Sequence, residues 1–210
     1  MKARLHEVLA VCLVLLLAGC SIWIKGFANS ALYKPLPSAG TFKVEYLGGN
    51  AIEATKLNRI LVYQFKKLGY KPSESDSADL KVSYSFNVIS GGSRSGAIAT
   101  TSPQTHTIVG NTIVSSPSTT TVIPFSTNLF VKRITVKVSD NRTGNKLWES
   151  SVEETGWCNQ IFVTAPYIFG LMFDDFPEEA TNRVEAMQGG DPRATEFIKL
   201  YPKNTNWNCR

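Results

Sequence analysis

The sequence predicts a single small α+β domain in which a mostly antiparallel sheet carries helices packed on one face. Two observations predict this fold class. One segment, residues 51–68, has apolar residues at helical spacing. Other short segments alternate apolar and polar residues, as half-buried strands do, at residues 41–46, 80–86 and 129–139. The predicted order is β-α-β, a polar hairpin or loop, β-β, and then two helices.

Length and composition exclude several classes of protein. A chain of 210 residues suits one domain of ordinary size. With 43% hydrophobic and 19% charged residues, it is neither globally disordered nor collagen-like. The formal charge of +5 is spread along the chain, which argues against nucleic-acid binding. Since no apolar run reaches about 20 residues, no membrane-spanning helix is expected.

Residues 1–19 predict a lipoprotein signal peptide. A positively charged start precedes an almost wholly apolar run over residues 8–18, which is too short to cross a bilayer. The run ends in Leu-Ala-Gly-Cys at residues 17–20, which resembles the bacterial lipobox at each position. In lipoproteins with this motif the cysteine, here Cys20, receives a diacylglyceryl thioether, becomes the first residue after cleavage and is acylated on its amine. The alternatives are an ordinary secreted protein in which this cysteine occurs by chance, or a buried apolar helix.

Lipidation at Cys20 predicts a membrane anchor. One acyl chain binds only marginally, whereas two or three hold firmly, because each buried methylene contributes about 0.8 kcal/mol. Ser21 follows the cysteine in place of aspartate, and resemblance to enterobacterial lipoproteins then favours the outer membrane, on its periplasmic side. Residues 20–40 are predicted to be a lipidated N-terminus and tether, because they contain Pro35 and Pro37 and no clear periodicity.

Two cysteines remain after Cys12 is removed with the signal peptide and Cys20 is used by the lipid. The periplasm oxidises thiols, so a Cys158–Cys209 disulfide is predicted, which would hold the C-terminal segment on the domain. A metal pair or a redox dithiol is the rival interpretation. It is disfavoured because the two residues lie far apart in sequence, without C-x-x-C spacing.

Residues 41–210 are predicted to form the single domain. Its first helix, residues 51–68, has Asn50 as N-cap and Gly69 at the position where a left-handed residue ends a helix. A serine- and threonine-rich insertion then spans residues 90–128. There, residues 112–114 and 121–123 are predicted either to pair as a polar hairpin or to lie in a disordered loop.

The second half of the domain begins with a β-hairpin formed by residues 129–139 and 146–152, joined by a polar turn. Residues 161–173 are strongly apolar and predict a buried helix or irregular core segment. A capping pattern that begins at Asp175 predicts a further helix through about Gln188. A short last helix is predicted to begin at Asp191 and Pro192.

No catalytic or metal-binding constellation is recognisable, and no cofactor is expected. His106 is the one histidine after the predicted cleavage site, and it lies in the polar insertion, where nothing fixes its ring. Glu153 and Glu154, at a strand end, are interpreted as solvated. One acidic cluster is interpreted as a helix start with capping carboxylates rather than as a calcium site, and it consists of Asp174, Asp175, Glu178 and Glu179.

Tryptophans supply the second functional hypothesis. Trp148 lies on an alternating strand and is predicted to be in the core. Trp157 and Trp207 neighbour the two cysteines and are predicted to pack around the disulfide. A sugar-binding cleft lined by such aromatic side chains is the alternative.

The body of the chain resembles an uncharacterised family of bacterial envelope lipoproteins. The resemblance covers about residues 41–186 and rests on the lipobox and on segments at residues 41–46, 67–70, 78–84, 134–140, 143–148 and 176–177. The long insertion and the tail to Cys209 depart from the family pattern. The resemblance implies a small domain that binds partners and brings no catalytic residues.

Together these observations predict a non-enzymatic lipoprotein that is anchored at Cys20 and faces the periplasm. It is expected to act through contacts with an envelope protein partner or through envelope architecture. The alternative function is a peptidoglycan- or glycan-binding module of the cell envelope.

Overall fold

Strands account for most of the regular structure. The computed structural model describes residues 23–48, 51–103, 105–109, 112–116, 118–203, 205, 207 and 209. Within these residues the elements are β1 Trp23–Leu32, β2 Thr41–Tyr46, α1 Ala51–Lys67, β3 Lys71–Pro72, β4 Leu80–Thr101, β5 Thr105–Val109, β6 Thr112–Ser116, β7 Thr120–Asp140, β8 Lys146–Gly156, α2 Ile161–Phe173, β9 Ala180–Gln188 and α3 Pro192–Ile198. The predictions for the signal peptide, Cys20 and the Asn50 cap lie outside the described residues.

The predicted α+β class is confirmed. Seven described strands form one mixed sheet in the order β3-β2-β4-β7-β8-β1-β9. Strands β2 and β4 pair in parallel, and the chain between them forms α1 and β3. The remaining neighbours in the series β4, β7, β8, β1 and β9 pair antiparallel. The predicted hairpin is β7–β8, and the predicted apolar segment is α2.

The core lies between one face of this sheet and the helices. Helix α1 contributes Leu57, Leu61 and Phe65, all fully buried, and β8 contributes Trp148, as predicted. Gly69 has a φ of 95°, which confirms the left-handed residue after α1. The opposite face is polar. It carries cross-strand contacts such as the ion pair Lys137–Glu149 (3.3 Å) and the hydroxyl pair Thr135–Ser151 (3.1 Å).

The predicted tether at residues 20–40 is wrong over residues 23–32, because these residues form strand β1 inside the sheet, between β8 and β9. The side chains that point inward from β1 are those of Ile24 and Ala28, with Gly26 between them. Two of these three residues are too small to give a hydrophobic pattern. At Gly26 a side chain would meet helix α2, since a Cβ atom there would lie 2.5 Å from Leu171 Cδ1.

The helix predicted from Asp175 through Gln188 is also wrong, because residues 180–188 form the edge strand β9. Every second residue faces the body of the protein, but two of these are Arg183 and Glu185, and only Met187 is a buried apolar residue. Because charged residues occupy inward positions, the sequence of this strand does not alternate between apolar and polar residues. The strand forms because β1 offers it an edge to pair with, and β1 itself has no recognisable pattern in the sequence.

The insertion at residues 90–128 extends the β4–β7 hairpin rather than interrupting it. After a register shift between Ser90 and Ser93, the two strands pair again, from Ser93 with Asn128 to Thr101 with Thr120. The predicted pairing of residues 112–114 with residues 121–123 is wrong: residues 112–114 pair with residues 107–109 of β5, whereas residues 121–123 pair with residues 98–100 of β4. We call residues 93–101 together with residues 120–128 the arm.

Candidate functional site

A cavity of about 340 Å³ lies where the end of β8, helix α2 and the C-terminal segment meet. Apolar side chains form much of its wall: Ile24 from β1, Val163 and Tyr167 from α2, and Ile198 from α3. Cavities of about 300–1,000 Å³ that combine apolar walls with a few polar groups are typical of small-molecule sites. This cavity is therefore the first candidate site.

The Cys158–Cys209 pair lies in the wall of this cavity. The two cysteines are joined as predicted, with Cα atoms 5.0 Å apart and a sequence separation of 51. Trp207, two residues before Cys209, packs edge-on against Tyr201 with ring centroids 5.1 Å apart. Trp157 also lines the cavity but is 53% exposed, so it only partly packs around the disulfide.

The buried charges of the site are Lys132 and Glu154. The predicted solvation of Glu154 is wrong, because its residue exposure is 4% and that of Lys132 is 0%. They are direct cross-strand neighbours on β7 and β8. Lys132 Nζ lies 2.7 Å from Glu154 Oε2 and donates a hydrogen bond of 2.6 Å to the Cys158 carbonyl oxygen. The ion pair therefore links the sheet to the disulfide-bearing segment.

Gly156 leaves room for the Glu154 carboxylate. A Cβ atom at Gly156 would lie 2.5 Å from Glu154 Oε1 and 3.7 Å from Lys132 Nζ. Any side chain at this position would thus displace the carboxylate. Burial raises the pKa of the Glu154 carboxyl above its usual value, and the neighbouring Lys132 ammonium opposes that shift only in part.

The Glu154 carboxylate is held by this ion pair. Its Oε2 atom is buried and lies 2.7 Å from the Lys132 ammonium, which is the counter-charge of the carboxylate. Glu154 also contributes to the wall of the cavity.

The acidic cluster has a different role from the predicted helix cap. Asp174 accepts a hydrogen bond of 2.8 Å from Arg193 Nη1 and forms an ion pair with Arg183. Asp175 pairs with Arg183 as well. Glu179 accepts a hydrogen bond of 3.3 Å from the Leu32 backbone N–H. These contacts connect the end of α2 to β1, β9 and α3, so the cluster is structural.

The remaining predicted residues do not join this site. His106 lies in β5, and Cys20 lies outside the described residues. Across the described ranges, no three histidine, cysteine, aspartate or glutamate side chains are grouped so as to hold a metal ion. The helices described here are also too short or too polar to span a membrane.

The arm is the second candidate site. Its residues are exposed on both faces, and they include the large apolar side chains of Ile98, Val122, Ile123 and Phe125. Arg94 is its only charged residue. Among the described strands, β2 pairs with β4 only as far as Tyr84, and β8 pairs with β7 only from Phe130 onwards. Within the described residues, both outer edges of the arm therefore lack a neighbouring strand.

The fold and these two features define a small α+β domain with a ligand-sized cavity and a projecting, nearly uncharged arm. No protein-family model and no curated protein matches the chain. Among solved structures, the chain is similar to a PDZ domain protein from Parabacteroides distasonis, with 13% identity and a TM-score of 0.50 over 79% of this chain. It spans 38% of that protein's length. A likeness at this identity extends to the fold alone.

Two dodecamer structures of PelC from Paraburkholderia phytofirmans also match. Each has 10% identity and a TM-score of 0.35 over 63% of this chain, and the match covers 81% of one PelC chain and 82% of the other.

Proposed function

We propose that this protein is a non-enzymatic, lipid-anchored envelope protein that acts by binding another protein through its arm. The exposed apolar surface of the arm is the observation that carries the proposal. A two-stranded ribbon with no covering layer is only marginally stable in water. Exposed strand edges are usually protected by lysine, proline or a covering element. Here the edges are long, and Pro124 is the one proline within the arm.

The mode of binding follows from the geometry of the arm. Unpaired backbone groups along the outer edge of β4 or β7 can add a strand of a partner, which gives main-chain hydrogen bonds. Apolar side chains on both faces of the arm would then be covered. Ile98 and Ile123 are direct cross-strand neighbours and form the centre of one such face. The nearly uncharged surface favours a partner with an apolar, extended segment rather than a strongly charged one.

We expect a photo-crosslinking amino acid at Val122 to trap a discrete protein in intact cells. Val122 is 60% exposed and lies on the arm. The matched control is the same substitution at Val184, which is 48% exposed on the edge strand β9, outside the arm. Mass spectrometry of the product distinguishes a second copy of this chain from another protein. Equal crosslinking from both positions, or none from Val122, would contradict a role for the arm.

The anchor at Cys20 is the second part of the proposal, with the domain on the periplasmic side of the outer membrane. Strand β1 begins at Trp23, three residues after Cys20. At about 3.5 Å per residue, the domain would be within roughly 10 Å of the anchored cysteine. The cavity, whose wall includes Ile24 of β1, would therefore lie close to the membrane surface.

Intact-mass measurement of detergent-extracted protein tests the anchor. We expect a chain that begins at Cys20, carries acyl chains and lacks two hydrogens because of the disulfide. A Cys20→Ser variant should lose the acyl mass. A chain that retains Met1, or one cleaved without added lipid, would remove the anchor from the proposal but leave the crosslinking test unaffected.

A glycan-binding role is the second candidate function. Trp157 supports it, because an exposed indole beside a cavity can stack on a sugar ring. Cosedimentation with purified peptidoglycan sacculi distinguishes the two functions. Pelleting that requires Trp157 and is independent of the arm would favour glycan binding.

A further inference from the structure

We propose that one face of the arm docks on the lipid bilayer that holds the anchor at Cys20. The inference rests on the proposed anchor and deepens the role of the arm, since a protein partner pairs along the edges of the arm while lipid covers this face. Three observations carry it: the two faces of the arm differ, its single charge lies at its base, and it projects from the end of the sheet at which β1 begins.

The first observation is an apolar face. Directly opposed residues of an antiparallel pair share a face, and successive pairs alternate between the two faces. Ile98 lies opposite Ile123, and two residues along the strands Gly96 lies opposite Phe125 on the same face. The Phe125 ring covers Gly96, because a Cβ atom at Gly96 would lie 2.6 Å from Phe125 Cζ. We call these four residues the isoleucine face. The side chains of Ile98, Ile123 and Phe125 are 56%, 53% and 45% exposed.

The opposite face of the arm is small and mostly polar. Its residues are serine, threonine, asparagine, alanine and proline, with Val122 as the one larger apolar side chain. A ribbon with two such faces suits the boundary between lipid and water, as do amphipathic helices that lie in a membrane surface. At this boundary the backbone edges of the arm stay within reach of water or of a protein partner, which the hydrocarbon core would not allow.

The second observation is the position of the charge. Arg94 lies opposite Thr127 at the base of the arm, and beyond this pair the arm continues to Thr101 and Thr120 without a charged residue. Strand β4 extends about 13 Å from Arg94 to Ile98. An arginine at the base can contact lipid phosphates, whereas a charge farther along the arm would have to enter the apolar layer at a high cost in free energy. The arm therefore has the charge pattern that a membrane surface favours.

The third observation is the end of the sheet from which the arm projects. Gly156 at the end of β8 lies opposite Phe130 of β7, which lies opposite Ser90 of β4, just before the arm. Strand β1 begins at this same end, because it runs antiparallel to β8. Since β1 and β7 are two strands apart, about 10 Å, and the three residues back to Cys20 span at most about 10 Å, the anchor would lie within roughly 20 Å of Phe130. Trp157 is 53% exposed directly after Gly156, and indoles are enriched at membrane interfaces.

Spin labelling of the anchored full chain tests the proposal in vesicles of phosphatidylethanolamine and phosphatidylglycerol, which contain no other protein. Val122 and Ile123 are neighbours on opposite faces of the arm, so Val122→Cys and Ile123→Cys form a matched pair of labelling sites. Molecular oxygen concentrates in lipid, and we expect it to relax the label at position 123 more strongly. A water-soluble nickel chelate should relax the label at position 122 more strongly.

Flotation with the same vesicles measures the contribution of the isoleucine face without the anchor. The partition coefficient of the Cys20→Ser chain should fall about tenfold when Ile98→Asn/Ile123→Asn is added, because two apolar side chains are then lost from the docked face. Ala99→Asn, one residue from Ile98 but on the opposite face, should leave the coefficient unchanged. All of these variants should keep the unfolding midpoint of the parent, since the arm lies outside the hydrophobic core.

The possible outcomes separate the docking of the arm from the anchor. An intact mass without acyl chains would refute the anchor and the docking with it. Acylated protein whose two labels are equally open to the nickel chelate would overturn the docking alone, as would equal flotation of the Ile98→Asn/Ile123→Asn and Ala99→Asn variants. Labels shielded from both reagents would show that a second copy of the chain covers the arm in place of lipid, which also overturns the proposal.

Discussion

Replacing Lys132 with methionine is expected to lower the free energy of unfolding by about 3–5 kcal/mol. The substitution leaves the Glu154 carboxylate buried without its counter-charge, and it also removes the hydrogen bond to the Cys158 carbonyl oxygen. Chemical denaturation, followed by circular dichroism, measures the loss. The double variant Lys132→Met/Glu154→Leu should recover most of it, because no charge then remains buried.

Arg133→Met is the matched control for this prediction. Arg133 is the next residue on β7 and pairs with Glu153, the neighbour of Glu154 on β8, but on the opposite, polar face of the sheet. Because water screens this exposed pair, the expected loss is below about 1 kcal/mol. Equal losses for the two variants would show that burial does not determine the contribution of the Lys132–Glu154 pair.

Lowering the pH should reduce the difference in the free energy of unfolding between the Lys132→Met variant and the unmodified protein. Burial already holds the pKa of Glu154 above its unfolded value, and removing the Lys132 ammonium raises this pKa further. A carboxyl whose pKa is higher in the folded than in the unfolded state lowers the free energy of unfolding, and this cost grows as the pH rises from the unfolded-state pKa to the folded-state pKa. Below both pKa values the group is protonated in both states, and the cost disappears. The two stabilities should therefore converge as the pH falls from 7 toward about 4.

Removing the disulfide is the second large effect. A Cys158→Ser/Cys209→Ser variant should lose about 4 kcal/mol, the chain-entropy value for a loop of this length. The unmodified protein should lose a similar amount when reduced with dithiothreitol. The serine variant should be insensitive to the reductant, which provides the internal control. If reduction left the unfolding midpoint unchanged, the bond would not contribute to stability.

The Cys158→Ser/Cys209→Ser variant should also open its C-terminal segment more often than the unmodified protein does. Trp207 and Tyr201 pack against each other just before Cys209. Without the covalent link, this segment has fewer restraints, and opening it exposes its backbone to proteases. Limited proteolysis should therefore cleave after residue 200 faster in the serine variant than in the unmodified protein.

Some elements could be predicted from the sequence because a single periodicity describes them. Strand β7 alternates cleanly around Ile134, Val136 and Val138, and all three are buried as that pattern requires. Strands β1 and β9 could not be found in this way, since their inward positions hold small or charged residues. Their existence depends on pairing between distant segments, such as Gly26 of β1 with Glu154 of β8.

The sequence does contain a signal for the buried ion pair. Ile134 and Val152 face inward, so a period of two also places Lys132 and Glu154 inward. Two opposite charges at inward, neighbouring strand ends indicate a buried pair rather than solvated residues. The cavity, in contrast, could not be predicted, because β1, α2, α3 and the C-terminal segment meet only in the folded protein.

The position of β1 in the sheet has a consequence for the order of folding. Its neighbours on both sides, β8 and β9, are made from residues 146–156 and 180–188, so β1 has no partner in the described sheet until about three quarters of the 210 residues have been synthesised. Contacts of such wide sequence separation slow folding because a long loop must close before they form. A chain predicted to be exported benefits from this delay, since its N-terminus can reach the membrane while the domain is still unfolded.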